Sequence, residues 1–214
     1  MRRTRRTVVR PPGGEGGRAQ GGRSRRAAPG DHRVVWRLIA SRGISAVSMR
    51  MIAEEAGYAN GVLGYYFANK DEVIRRAYEH VSLATNDRVA RLMGDARGLD
   101  ALRILCGEIM PRTEEALLEA RIATTLWEHA MYDPVMKKVN AESWQMWRTQ
   151  MVGFLDQAVS DGELASADTA LAADTLLTLL MGMQVMAVLT PESLPPARQD
   201  EMFERWLEEL RTAG

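Results

Sequence analysis

The chain has 214 residues, with 28 basic and 28 acidic side chains, one cysteine and 46% hydrophobic residues. That length suits one or two compact domains, and the apolar share is ample for a packed core, which excludes wholesale disorder. A single cysteine excludes a disulfide framework and any multi-cysteine zinc site, and it suits a reducing cytoplasm.

The zero net charge conceals an asymmetry. Residues 1–30 hold nine Arg and one acid, Glu15, for +8; residues 31–80 stand at +1 and residues 81–214 at −9. A basic head on an acidic body points to a polyanionic partner at the N-terminal end. The head also carries seven Gly and three Pro with almost no large apolar residue, so composition predicts a disordered arm. Val8-Val9 is its whole apolar content, against the roughly 7–15 residues a secretory signal needs. Two readings of the arm stay open: a phosphate-seeking tether, or an upstream extension with no role. No apolar run approaches the roughly 20 residues of a membrane span. The best candidate, residues 171–189, carries Asp174 and Gln184 and reads as a buried helix, so no membrane partner is expected.

From Asp31 onward, eight prolines in the chain and the absence of alternating runs predict an all-α fold. A first helix over about 32–41 buries Val35, Trp36, Leu38 and Ile39 and is closed by Gly43. A second opens at the N-cap Ser48 and runs to Gly57. After the turn Gly57-Tyr58-Ala59, Asn60 caps a third helix through Phe67. Asn69-Lys70-Asp71-Glu72 opens a long fourth, whose acidic first turn suits the helix dipole. Its Val73, Ile74, Ala77, Tyr78, Val81 and Leu83 are spaced as one face.

Helix, glycine-containing turn, helix is the helix–turn–helix arrangement, whose second helix enters the major groove. Small Ala53 and Gly57 sit where the helices cross, and Asn60, Gly61 and Val62 open the recognition helix. Ser48, Tyr66 and Lys70 flank it as phosphate clamps. On pattern alone, an ordinary αα-corner is the alternative.

The stretch from Gly43 to Glu72 resembles the DNA-binding domain of TetR-type transcriptional regulators. That family reads T/S-x-R-x-I-A-x-x-A-G-V-S-x-G-x-L-Y-Y-H-F-x-x-K. This chain has Ser48-Met-Arg50-Met-Ile52-Ala53-Glu-Glu-Ala56-Gly57-Tyr58-Ala59-Asn60-Gly61-Val62-Leu63-Gly64-Tyr65-Tyr66-Phe67-Ala-Asn-Lys70. It departs at Tyr58-Ala59, at Gly64 and at Tyr66, where the family has Val-Ser, tyrosine and histidine. The resemblance implies that Arg50 reaches a base edge, with guanine O6/N7 as the natural bidentate acceptor. It implies phosphate contacts from Ser48 and Lys70, and base contacts from Asn60, Gly61 and Val62. Tyr66 can still donate to phosphate, whereas Tyr65 either touches the DNA backbone or packs beneath the motif. Ile52, Leu63 and Phe67 are core by spacing.

Past Ser82, breaks at Gly94, Pro111, Asp133-Pro134, Asp161-Gly162 and Pro191 predict five more helices. Their spans are about 99–110, 113–131, 134–159, 167–189 and 196–211, giving about nine helices in all. The division expected is an Arg/Gly-rich arm over 1–30, a helix–turn–helix domain over 31–78, and a ligand-binding and dimerisation domain over 79–214. Leu126-Trp127-Glu128-His129-Ala130, Asp133-Pro134 and Gly162-Glu163-Leu164 loosely resemble the choline-responsive branch of the family. The resemblance implies a homodimer built on the last two helices, with Leu176, Leu180, Met183, Phe203 and Trp206 as candidate interface residues. It also implies an effector pocket, for which Trp127, Met131, Trp144, Trp147 and Met151 are candidates; plain core is the other reading of each.

Cys106, His32, His80 and His129 show no metal-ligand spacing, and no phosphate loop or nucleophile elbow is present, so neither cofactor, metal nor catalytic residue is expected. The function expected is a cytoplasmic, sequence-specific, ligand-responsive regulator, usually a repressor. Its partners would be a pseudo-palindromic double-stranded DNA operator, an unidentified small-molecule effector and a second copy of itself. A sequence-independent DNA-architectural protein, or an enzyme of unrecognised type, is the alternative.

Overall fold

Side-chain caps set the helix boundaries in the computed structural model, which describes residues 37–39, 41–43, 46–55, 67–165 and 168–212. Helical residues from Arg37 end at Gly43, whose φ of +74° lets its N–H reach the Ile39 carbonyl at 2.8 Å. Helix α1 spans Met49–Glu55, and the Ser48 hydroxyl accepts the Met51 N–H at 3.2 Å. Helix α2 spans Lys70–Met93; Asn69 accepts the Glu72 N–H, and the Glu72 carboxylate accepts the Ala68 N–H in return. Then come α3 (Gly98–Ile109), α4 (Glu114–Ala130), α5 (Pro134–Ser160), α6 (Thr169–Leu189), a single 3-10 turn (Pro191–Ser193) and α7 (Pro196–Thr212). Thr113, Asp133 and Asp168 cap α4, α5 and α6 through their side chains.

The described residues contain no strand, and the five C-terminal helices begin and end within two residues of the expected positions. The expected helix over 60–67 and the arm over 1–30 lie outside the described residues. The boundary expected at 78/79 falls inside α2, so one uninterrupted helix serves both halves.

Two hydrophobic cores result. The near core joins Leu38, Ile39, Val47, Ile52 and Phe67 to the first half of α2, to Ile122, Ala123 and Leu126 of α4, and to Met136 of α5. The distal core joins α3, the second half of α5, α6 and α7, centred on Leu102, Leu105, Met151, Leu155, Leu176 and Leu207. Helix α4 packs on α2, α5 and α6, and α5 reaches both cores.

Gly98 opens α3 under a close approach. Its φ is +50°, and a Cβ there would stand 2.3 Å from Glu163 Oε1. The same carboxylate accepts the Leu99 N–H at 3.1 Å, so α3 is capped by a residue 64 positions further along the chain. Helix α6 is long and apolar enough to cross a bilayer by length and composition alone, contrary to the count from sequence. Its Ala173, Leu176, Leu180 and Met183 are nonetheless packed in the distal core, and its Asp174 accepts from Arg148 Nε and Nη2 at 2.5 and 3.1 Å.

Candidate nucleic-acid interface and effector pocket

Of the eight residues expected to face DNA, three are described. Ser48 caps α1, so its hydroxyl already holds a backbone N–H and its remaining lone pair and proton face outward. Arg50, two residues on, is exposed, and its Nε donates to Glu54 at 2.8 Å. Lys70 is the first residue of α2, where the helix N-terminus adds positive potential. Asn60, Gly61, Val62, Tyr65 and Tyr66 lie outside the described residues.

Beside Lys70, Asp71 meets His129 Nδ1 at 3.5 Å, tying the first turn of α2 to the last turn of α4. That pairing joins residues 58 apart, and no spacing rule could have exposed it. The Glu54 partner of Arg50 follows the ordinary i,i+4 rule and was legible.

The pocket opens between α2, α4, α5 and α6, with α3 closing one end. It is a cavity of about 730 Å³, part of it open to solvent. Trp127, Trp144 and Trp147 all line it, with Tyr78, Ala120, Ala123, Leu177 and Leu180. Met131 and Met151 do not. Met131 falls in the turn after α4, past the inward face of the helix, and is 68% exposed. Met151 is fully buried among distal-core side chains.

Sequence reasoning missed the polar wall. Arg88 donates to Glu108 at 2.7 Å and to both Glu119 oxygens at 2.7 and 2.9 Å, while Thr85 bonds Glu119 at 3.4 Å. Hydrogen bonds to Glu119 push the Arg88 guanidinium above its usual range and outweigh its partial burial, so it stays a cation. Two carboxylates against one guanidinium leave this end of the cavity with one surplus negative charge. Burial pushes the Tyr78 phenol up, opposed by hydrogen bonds with Ser143 and Ser82. Cys106 is buried in the distal core, which pushes its thiol up and leaves it a packing residue. The described residues hold no cluster of three or more metal-ligating side chains.

Among the interface candidates, Leu176, Leu180, Met183 and Phe203 are buried within the protomer, and Leu180 also walls the pocket. They face inward because α6 and α7 close the distal core. Trp206 is half-buried, with its ring stacked on Phe203 at 6.3 Å between centroids. The exposed stripe of α6 is instead Leu171, Thr175, Thr178, Gly182, Met186 and Leu189.

Two family models match the chain. One describes bacterial regulatory proteins of the tetR family and covers residues 34–77; the other describes the C-terminal part of BetI-type transcriptional repressors and covers residues 98–212. The HTH-type transcriptional regulator PksA of Bacillus subtilis is 27% identical over 157 residues, spanning 73% of this chain and 76% of that protein. The HTH-type transcriptional regulator BetI of Vibrio campbellii is 21% identical over 174 residues, spanning 79% and 84%. Among solved structures, a transcriptional regulator from Saccharomonospora viridis in complex with choline has a TM-score of 0.78 at 19% identity, covering 83% of this chain and 93% of that one. A transcriptional regulator from Rhodococcus has a TM-score of 0.74 at 18% identity, covering 84% and 92%. At these identities the solved structures show the shared fold.

Proposed function

Since the chain belongs to the TetR family of helix–turn–helix transcriptional regulators and carries a BetI-type C-terminal domain, we propose that it is a cytoplasmic repressor released from its operator by an organic cation. It is a DNA-binding regulator and not an enzyme. The observation that carries the DNA-reading role is the family match over residues 34–77, which spans Ser48, Arg50 and Lys70. Arg50 reads a base edge, Ser48 and Lys70 hold phosphate, and Asn60, Gly61, Val62, Tyr65 and Tyr66 complete the contact surface. Residues 31–78 form the reading unit and residues 79–214 the sensing and pairing unit. The working form is a homodimer on a pseudo-palindromic site, paired through the exposed stripe of α6, with Trp206 at its edge.

The cation follows from the cavity. Its surplus negative charge and three indole rings suit a weakly hydrated cation, which gains from both carboxylate and aromatic faces. The choline complex of the Saccharomonospora viridis regulator supports the same class. Competing a labelled fragment from the gene's own upstream region with bulk DNA tests the reading. Strong preference for the fragment, lost on adding an organic cation, is expected. Equal competition by bulk DNA favours an architectural protein and overturns it.

A further inference from the structure

The cavity sits on the seam between the two cores, and its two ends touch different ones. The Arg88–Glu119 and Asp71–His129 pairs show that α2 and α4 run antiparallel. Thr85, Glu108 and Glu119 therefore make one end, and Tyr78, Ala123 and Trp127 the other. Eight residues of α4 separate Glu119 from Trp127, about 12 Å of helix. At the charged end, Trp144 and Trp147 pack against the distal core. At the far end, Tyr78 and Ala123 belong to the near core and Trp127 packs against it, alongside Ile52 of α1 and Phe67. Among the described residues, the far end is where cavity walls and helix–turn–helix side chains share one packed cluster.

A ligand shifts an equilibrium only by binding its two states unequally. A cation held at Glu108 and Glu119 alone touches no side chain of the near core, so it has little means of telling the DNA-bound arrangement from the released one. An apolar group driven between Tyr78, Ala123 and Trp127 must be accommodated by a close-packed cluster that repacks discretely and does not stretch. We propose that the effector is an elongated amphipathic cation, whose charged head anchors against Glu108 and Glu119 and whose apolar tail reaches Tyr78, Ala123 and Trp127, and that the tail drives release from DNA. This rests on the reading of the cavity as the effector site. It predicts that a bare trimethylammonium head binds without inducing.

The test uses the full chain and two readouts: intrinsic tryptophan fluorescence for binding, and anisotropy of a labelled operator for release. The probes are n-alkyltrimethylammonium ions from tetramethyl to decyl, each below its micelle concentration, with decyl sulfate as the anionic control. Every ammonium should change the fluorescence. Affinity should rise about fourfold per buried methylene until the tail fills the cavity, then level off. Operator release should begin only at the longer tails. Ala123→Leu, which plugs the far end, should abolish release by decyltrimethylammonium while tetramethylammonium still changes the fluorescence, which also reports that the variant is folded. Release by tetramethylammonium equal to that by the decyl ion overturns the tail's role and leaves the cation reading standing. Decyl binding without release, or decyl release unchanged in Ala123→Leu, overturns it too. Silence from every ammonium, or equal release by decyl sulfate, overturns both.

Discussion

Arg50 reaches a base only by leaving Glu54. That pair is exposed on both sides, and such i,i+4 pairs contribute about 0.3–0.5 kcal/mol, far less than a bidentate guanine contact of roughly 1–3 kcal/mol. The exchange is therefore downhill at a cognate site and close to neutral elsewhere, as the proposed base-reading role of Arg50 requires. Arg50→Ala should cost about 1–3 kcal/mol on the operator and relax preference at one base pair per half-site. Arg50→Lys should not restore it, because a point charge lacks the planar fork. Lys70 differs: its proposed partner is phosphate, so Lys70→Ala should weaken binding evenly across sequences and lower the log–log salt slope by about one. Titrations of operator and scrambled DNA at several salt concentrations check all three variants. Operator affinity unchanged in both Arg50→Ala and Lys70→Ala would remove this surface from the DNA interface.

At the scale of elements, α2 does two jobs along one axis. Its first turn presents Lys70, and five turns later Arg88 bridges α3 and α4 through Glu108 and Glu119. Arg88→Met should leave two partly buried carboxylates without a counter-charge. A loss of about 1–2 kcal/mol of stability is expected at neutral pH, reduced from fully buried cases because the three side chains stay 16–24% exposed. Urea unfolding of both proteins at neutral pH measures the loss.

For the whole molecule, two features bear on the proposed pairing and DNA binding. The first is the stripe of α6, where Leu171, Met186 and Leu189 are exposed beside small or hydroxylated Thr175, Thr178 and Gly182. Leu189→Arg should leave the fold intact and yield a monomer by sedimentation. Operator affinity should fall with it, because half-sites about 34–36 Å apart need two linked recognition helices. Leu176→Ala is the contrast: it opens a cavity in the distal core and should cost about 2–5 kcal/mol of stability. The second is the arginine-rich sequence of residues 1–30. A chain beginning near Pro29 should keep its operator preference but bind all DNA more weakly at low salt. Its log–log slope should be shallower by about 0.9 for each phosphate the arm neutralises. Equal slopes would make the arm an upstream extension without a role in binding.

Local patterns in the chain determined the helices, their caps and the family, because capping, glycine stops and 3.6-residue periodicity act within a few residues. Ser48, Asn69, Thr113, Asp133 and Asp168 all cap helices that the residues just after them predict. The motif spacing that pointed to DNA is local in the same sense. Burial is not local. Leu176, Leu180, Met183 and Phe203 look like interface residues on an over-apolar helix pair, yet the fold turns them inward and leaves Leu171, Met186 and Leu189 outside. Apolar periodicity tells that a helix face is covered, never whether the cover comes from the same chain or another. The pocket shows the same divide: three of its tryptophans were legible as large aromatics, but Met131 and Met151 looked no different. Arg88, Glu108 and Glu119 come together over 20 and 31 residues of chain, and Asp71 and His129 over 58. Only the packing of α2 against α3 and α4 decided those pairings, because ion pairs between helices depend on crossing geometry that no single segment encodes.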